Sequence, residues 1–172
     1  MARASSPCLA GPKAPPFWAF STTETHMANE GRAFDEANPL LCPSAQPEMK
    51  ASRVLGVVGG TAERPGLAYL DQPLPVTEEV LRLAAPVKPT EVFRFAAHCE
   101  EKACRHFDGA RCRLATRIVQ ILPAVTEGLP ACIIRSTCRW YQQEGKAACL
   151  RCPQVVTQTY EASDDYRRAA EG

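Results

Sequence analysis

The sequence predicts a small α+β domain, and three observations lead to this prediction. Two apolar runs, RVLGVVGG at 53–60 and GLAYLDQ from Gly66, have the composition of strands and are separated by turn residues. The segments TEEVLRLAA and RCRLATRIVQIL instead have the apolar spacing or capping signals of short helices. Finally, seven of the nine cysteines fall in the 54 residues from Cys99 to Cys152. We therefore expect bound metal to organise the C-terminal half.

The first fifty residues read as a disordered, proline-rich tail. They hold seven of the fifteen prolines and show neither the period of a strand nor that of a helix. The remaining chain divides into a β-hairpin and short helix at 51–88, a cysteine-rich metal-binding or Fe-S-binding region at 89–160, and a C-terminal tail at 161–172.

The elements of residues 51–88 follow from local signals. The glycines that end RVLGVVGG and the turn at Pro65 predict a β-hairpin. Thr77 is a suitable N-cap for the helix TEEVLRLAA, whose first turn is acidic as the helix dipole prefers. Pro86 and Pro89 are expected to end this helix.

A second helix is predicted inside the cysteine-rich region. Asp108 and Gly109 form a turn signal, and a helix at RCRLATRIVQIL follows them. Its apolar residues lie on one face at helical spacing and are expected in the core: Leu114, Ile118, Ile121 and Leu122. Pro123 ends the pattern.

Charge and hydropathy bear on the class of protein. Lysine and arginine number 20 against 19 acidic residues, so no strong field favours nucleic acid or an anionic membrane. No run of eighteen apolar residues predicts a membrane span. We expect a cytoplasmic protein, in which thiols stay reduced and dense cysteines indicate metal binding or catalysis rather than disulfides.

The cysteines of this region fall into two groups. The downstream group supplies four thiolates, the complement of a tetrahedral zinc ion or of a [2Fe-2S] or [4Fe-4S] cluster: Cys132, Cys138, Cys149 and Cys152. The upstream group, Cys99, Cys104 and Cys112, supplies three. His106 is its predicted fourth ligand, with His98 and Cys42 as alternatives.

The spacing favours iron over zinc in the downstream group. Zinc sites commonly present two knuckles, whereas this chain has a single CxxC, at Cys149 and Cys152. A proline directly after the last cysteine, here Pro153, is typical of ferredoxin-type binding runs. Zinc remains the alternative.

This downstream segment resembles the C-terminal cluster-binding stretch of the ferric siderophore reductase family. That stretch reads Cys-Cys, ten residues, Cys, two residues, Cys, and Cys138, Cys149, Cys152 and Pro153 fall in its register. The resemblance covers about twenty residues and implies a [2Fe-2S] cluster. Thr137 replaces the first cysteine of the family's pair, so Cys132 is expected to supply the fourth ligand.

These observations predict an iron-sulfur cluster-binding protein that acts in electron transfer or as a redox partner. No acid and base pair or nucleophile constellation emerges, so enzyme activity stays open, with an Fe-S oxidoreductase component as one possibility. The expected partner is a redox protein rather than nucleic acid or membrane. The competing hypothesis is a zinc-stabilised protein-binding or regulatory module without catalysis.

Overall fold

The computed structural model describes residues 40–61, 63–157 and 162–171. A four-stranded antiparallel sheet forms its centre, in the order β1-β4-β2-β3. The strands are β1 (Leu41–Ala45), β2 (Arg53–Gly60), β3 (Pro65–Pro75) and β4 (Phe93–His98). Sheet and short helices together confirm the predicted α+β class.

The predicted β-hairpin is confirmed as the pair β2 and β3. Gly60 lies opposite Pro65 across the turn and has a φ of +83°. A Cβ at this position would collide with the carbonyl oxygen of Arg64, so the turn requires glycine. The hairpin lies at one side of the larger sheet: β2 also pairs with β4, and β3 is the edge strand.

The described residues also form six short helices. They are α1 (Glu78–Arg82), α2 (Pro89–Val92), α3 (Arg113–Ile121), α4 (Arg139–Glu144), α5 (Lys146–Cys149) and α6 (Asp164–Ala170). Thr77 caps α1 as predicted, with its side chain accepting a hydrogen bond from the Val80 amide at 3.2 Å. Pro89 begins α2 rather than only ending the helix before it.

The sheet separates two apolar clusters. Strand β4 is buried on both faces, because Phe93, Phe95 and Ala97 alternate with Arg94 and Ala96. The first three residues belong to a cluster with Ala45, Val54 and Ala84. Ala96 belongs to a larger cluster formed with the helices, whose fully buried members include Leu55, Ile118 and Trp140. The predicted apolar face of α3 is part of this larger core.

The structure corrects both predicted tails. Within the supposed disordered segment 1–50, Leu41–Ala45 forms β1, whose Leu41 and Ala45 are buried. Residues 1–39 lie outside the described residues. The supposed tail 161–172 contains α6, where Ser163 is the N-cap and Ala169 is buried in the larger core.

No helix in the described part of the chain has the length and apolar character needed to cross a bilayer.

Candidate metal centre

The described residues include eight cysteines, which occupy two places in the structure. Four line a small cavity beside α4 and α5: Cys132, Cys138, Cys149 and Cys152. The other four line a larger cavity at the end of β1 and β4: Cys42, Cys99, Cys104 and Cys112. We call these the downstream quartet and the upstream quartet.

The downstream quartet is assembled by two tight turns. The 3-10 turn Arg135–Thr137 carries the chain from Cys132 to Cys138, the N-cap of α4. At the junction of α4 and α5, Gly145 has a φ of +60°, a conformation that disfavours other residues. This bend returns Cys149 to the same cavity. All four residues that were predicted as cluster ligands are therefore brought together.

The surroundings of the downstream quartet are apolar. Cys138, Cys149 and Cys152 are buried, and Leu55, Trp140 and Ala148 line the same cavity. Burial raises the pKa of Cys138 to about 12 and that of Cys132 to about 11. Without metal these two thiols keep their protons. Metal binding must therefore release the proton from each thiol.

Two arginines face the sulfurs of the downstream quartet. Arg94, which is 1% exposed, directs Nη1 at the Cys152 sulfur over 3.9 Å and donates Nη2 to the Cys152 carbonyl at 3.1 Å. Burial raises the pKa of Cys149, and a hydrogen bond from Arg135 opposes this rise. None of the described carboxylates forms an ion pair with Arg94 or Arg135.

The upstream quartet joins residues far apart in sequence. Leu41 pairs with His98 and Cys42 with Ala97, and the Cys99 amide donates to the Leu40 carbonyl at 2.9 Å. This pairing places Cys42 beside Cys99. Burial raises the pKa of Cys42, and the neighbouring charges of Cys99, Cys112 and Cys104 add to the rise. The predicted group of three cysteines thus gains a fourth from β1.

The predicted turn at Asp108 and Gly109 closes the upstream quartet. The Asp108 carboxylate accepts hydrogen bonds from the amides of Ala110 and Arg111 at 3.0 and 2.7 Å. These bonds hold the Asp108 pKa below its usual value. Phe107 then pairs with Cys112, which brings that cysteine back beside Cys104.

His106 lines the upstream cavity, and an arginine nitrogen lies near each of its ring nitrogens. Nε2 lies 3.3 Å from Arg105 Nε, and Nδ1 lies 3.3 Å from Arg117 Nη2. Burial and these positive neighbours lower the His106 pKa. His98, the other alternative, ends β4 opposite Leu41. Cys42 is therefore the better candidate than His106 for the fourth ligand of the upstream group. The assignment of His106 as a ligand stays a prediction.

Within the described residues, no group of three or more His, Cys, Asp and Glu side chains is arranged to hold a single metal ion. Both quartets line cavities without converging on one point. A cluster with several iron atoms spreads its thiolate ligands over separate metal atoms, whereas zinc gathers four ligands at about 2.3 Å. The metal that either quartet would hold stays a prediction.

Comparison of the chain with protein-family models, with curated proteins and with solved structures gave no match. The resemblance to the ferric siderophore reductase segment stays a prediction.

Two residues around these sites, Arg94 and Tyr69, did not emerge as site residues from local patterns. Arg94 interrupts the apolar run VFRFAA. Because charged residues are rarely buried without a partner, this charge could have indicated a buried interaction partner for Arg94. Tyr69 of β3 contacts the Cys152 sulfur, and burial raises the pKa of its hydroxyl. Trp140, two residues after Cys138, lines both cavities.

Proposed function

We propose that this chain is an iron-sulfur electron-transfer protein, in which Cys132, Cys138, Cys149 and Cys152 hold a cluster. The bound cluster would accept and release one electron at a time. The chain's own residues supply four thiolates, an apolar enclosure and positively charged neighbours. A redox protein would be the partner that donates or accepts the electron.

Unpartnered hydrogen-bond donors are the observation that carries this proposal. Five buried side-chain nitrogen or oxygen atoms in the described residues find no partner: Nε of Arg94, Arg135 and Arg139, Nε1 of Trp140, and Oγ of Ser52. The four nitrogens all belong to residues that line a cysteine cavity or contact a cysteine sulfur. Each buried donor left unpaired costs about 1–3 kcal/mol, so an acceptor is expected there.

An iron-sulfur cluster supplies such acceptors and a compensating charge. Its inorganic sulfides and thiolates accept hydrogen bonds, and these bonds help to set its reduction potential. A zinc ion bound by four thiolates also has a net negative charge, but it adds no acceptor beyond those thiolates. Arg94 is a permanently charged group in a buried place, where a cation requires an anionic partner. The donors around the quartets therefore favour the cluster over the zinc-stabilised module.

Metal analysis of protein purified without oxygen tests this proposal. We expect iron and acid-labile sulfide in equal amounts, a brown colour, and visible absorption that bleaches on reduction with dithionite and returns on oxidation. Cys132→Ser and Cys149→Ser should each strongly deplete the downstream cluster, because an incomplete ligand set loses much of the binding free energy.

Thr137→Ala is the matched control, since Thr137 adjoins Cys138 and its hydroxyl donates to the local Ile134 carbonyl at 3.2 Å. This variant should keep the full cluster content. A colourless protein with stoichiometric zinc would overturn the proposal and support the binding module instead. Unchanged iron in both cysteine variants would refute the downstream ligand set.

A further inference from the structure

We infer that Cys42, Cys99, Cys104 and Cys112 hold a second iron-sulfur cluster, separated from the downstream cluster by Trp140. The metal's identity as iron-sulfur rests on the proposed function, whereas the ligand set is argued from the upstream quartet itself. The chain would then carry two redox centres that exchange electrons with each other.

The first support is that four thiols from three separate parts of the chain line the same cavity. Cys42 comes from β1, Cys99 and Cys104 flank the 3-10 turn Glu101–Ala103, and Cys112 precedes α3. All four line one cavity. Chance burial of small apolar residues would not require all four cysteines to line the same cavity.

Arg139 provides the second, independent support. Its side chain is 11% exposed, forms an ion pair with Glu101 and lies over the Phe107 ring at 5.4 Å. It also bonds to the Cys99 sulfur, and its buried Nε has no partner in the described part of the chain. Arg139 thus places a positive charge and one unpaired N–H donor beside the cysteine sulfur. An anionic cluster with further acceptor atoms would match both features.

Chain connectivity places the two quartets side by side. Leu41 forms an isolated parallel bridge with Cys138 of the downstream quartet. Cys42 of the upstream quartet is the next residue after Leu41. Cys138 and Arg139 are consecutive, yet the first lines the downstream cavity and the second bonds to Cys99. Trp140, 1% exposed, follows them and lines both cavities.

The two quartets differ in access to solvent, which gives them different roles. All four cysteines of the upstream quartet are partly exposed, whereas Cys138, Cys149 and Cys152 of the downstream quartet are buried. A redox protein would therefore exchange electrons with the upstream cluster, and the enclosed downstream cluster would receive them through the Trp140 region.

Cluster counting in the full-length chain tests this inference. Iron and acid-labile sulfide are measured per chain after anaerobic purification for the natural protein, Cys42→Ser, Cys149→Ser and the double variant. Each single variant should lose one cluster, about half of the total if both are of one type, and the double variant nearly all of it. In the reduced natural protein, electron paramagnetic resonance should show interacting spins, and Cys42→Ser should show one isolated centre.

His106→Asn distinguishes Cys42 from the histidine as the fourth ligand. This variant should keep the natural iron content, and a loss equal to that of Cys42→Ser would overturn the ligand set. Full iron content in Cys42→Ser would overturn the second cluster. If Cys42→Ser does not fold, Cys104→Ser replaces it, because Cys104 lies on a partly exposed turn, and full iron there would count equally against the inference.

The same measurements separate this inference from the proposed function. One cluster that disappears in Cys149→Ser and survives in Cys42→Ser would refute the upstream centre and leave the proposed function standing. A natural protein without iron would refute both. Iron that is lost in Cys42→Ser and retained in Cys149→Ser would refute the downstream centre alone.

Discussion

Replacing Arg94 by methionine is the sharpest test of how the protein stabilises a downstream cluster. The substitution keeps an apolar stem of similar length and removes the positive charge. Arg94 Nη1 lies 3.9 Å from the Cys152 sulfur, and a metal bonded to that sulfur would lie about 2.3 Å beyond it. The charge thus acts on an added electron from about 6 Å.

The size of the effect follows from this distance. At an effective dielectric constant of about 20, two unit charges about 6 Å apart interact by roughly 3 kcal/mol. Because about 1.4 kcal/mol corresponds to 59 mV for one electron, the reduction potential should fall by roughly 100 mV. The sign is negative, since removing a cation makes the reduced, more negative cluster less stable.

A redox titration followed by visible absorbance measures this shift. Arg82→Met is the matched control, because the Arg82 side chain is 68% exposed and its ion pair with Glu78 is on the surface. Its potential should stay unchanged. An Arg94→Met protein that keeps its cluster at the natural potential would refute the assigned role of the buried charge.

Ile118→Ala should lower the free energy of unfolding by about 2–5 kcal/mol, because Ile118 is 1% exposed in the larger core and the substitution leaves a cavity. Ile133→Ala, at 41% exposure, should change it by less than about 1 kcal/mol in the same denaturant titration. Deleting residues 1–39 should leave iron content and thermal unfolding unchanged. Deleting 1–48 should lower both, because it removes β1 and Cys42; equal behaviour of the two deletions would contradict a role for β1.

The elements that the sequence predicted are those that local signals determine. The hairpin, the Thr77 cap and the apolar face of α3 depend on residues close together in the chain. Strand β1 was missed because Pro43 breaks its pattern, and proline in an apolar run argues against a strand. It is tolerated here in an edge strand whose pairing with β4 is irregular between Cys42 and Ala45.

Helix α6 was missed although its signal was present. Ser163 followed by Asp164 and Asp165 is a favourable helix start, and the Ser163 side chain accepts from the Tyr166 amide at 3.2 Å. The short length of the segment made it resemble a tail, and its packing against α3 could not be deduced from the segment alone.

The candidate site was predictable to the extent that its cysteines are close in sequence. The downstream quartet lies within 21 residues and was assigned in full. The upstream quartet needs the pairing of β1 with β4, a long-range contact without a local signature, so Cys42 could be named only as one of three alternatives. The roles of Arg94 and Tyr69 likewise depend on tertiary contacts.

The edge position of β1 affects the order in which the chain matures during synthesis. β1 leaves the ribosome before its partner β4, which emerges only after the whole β2 and β3 hairpin. Local hairpin pairing is expected to precede this long-range closure. The Cys42 thiol therefore stays apart from the other three cysteines of its quartet until β4 and the segment after it are synthesised. During this time the Cys42 thiol of the nascent chain would be open to oxidation.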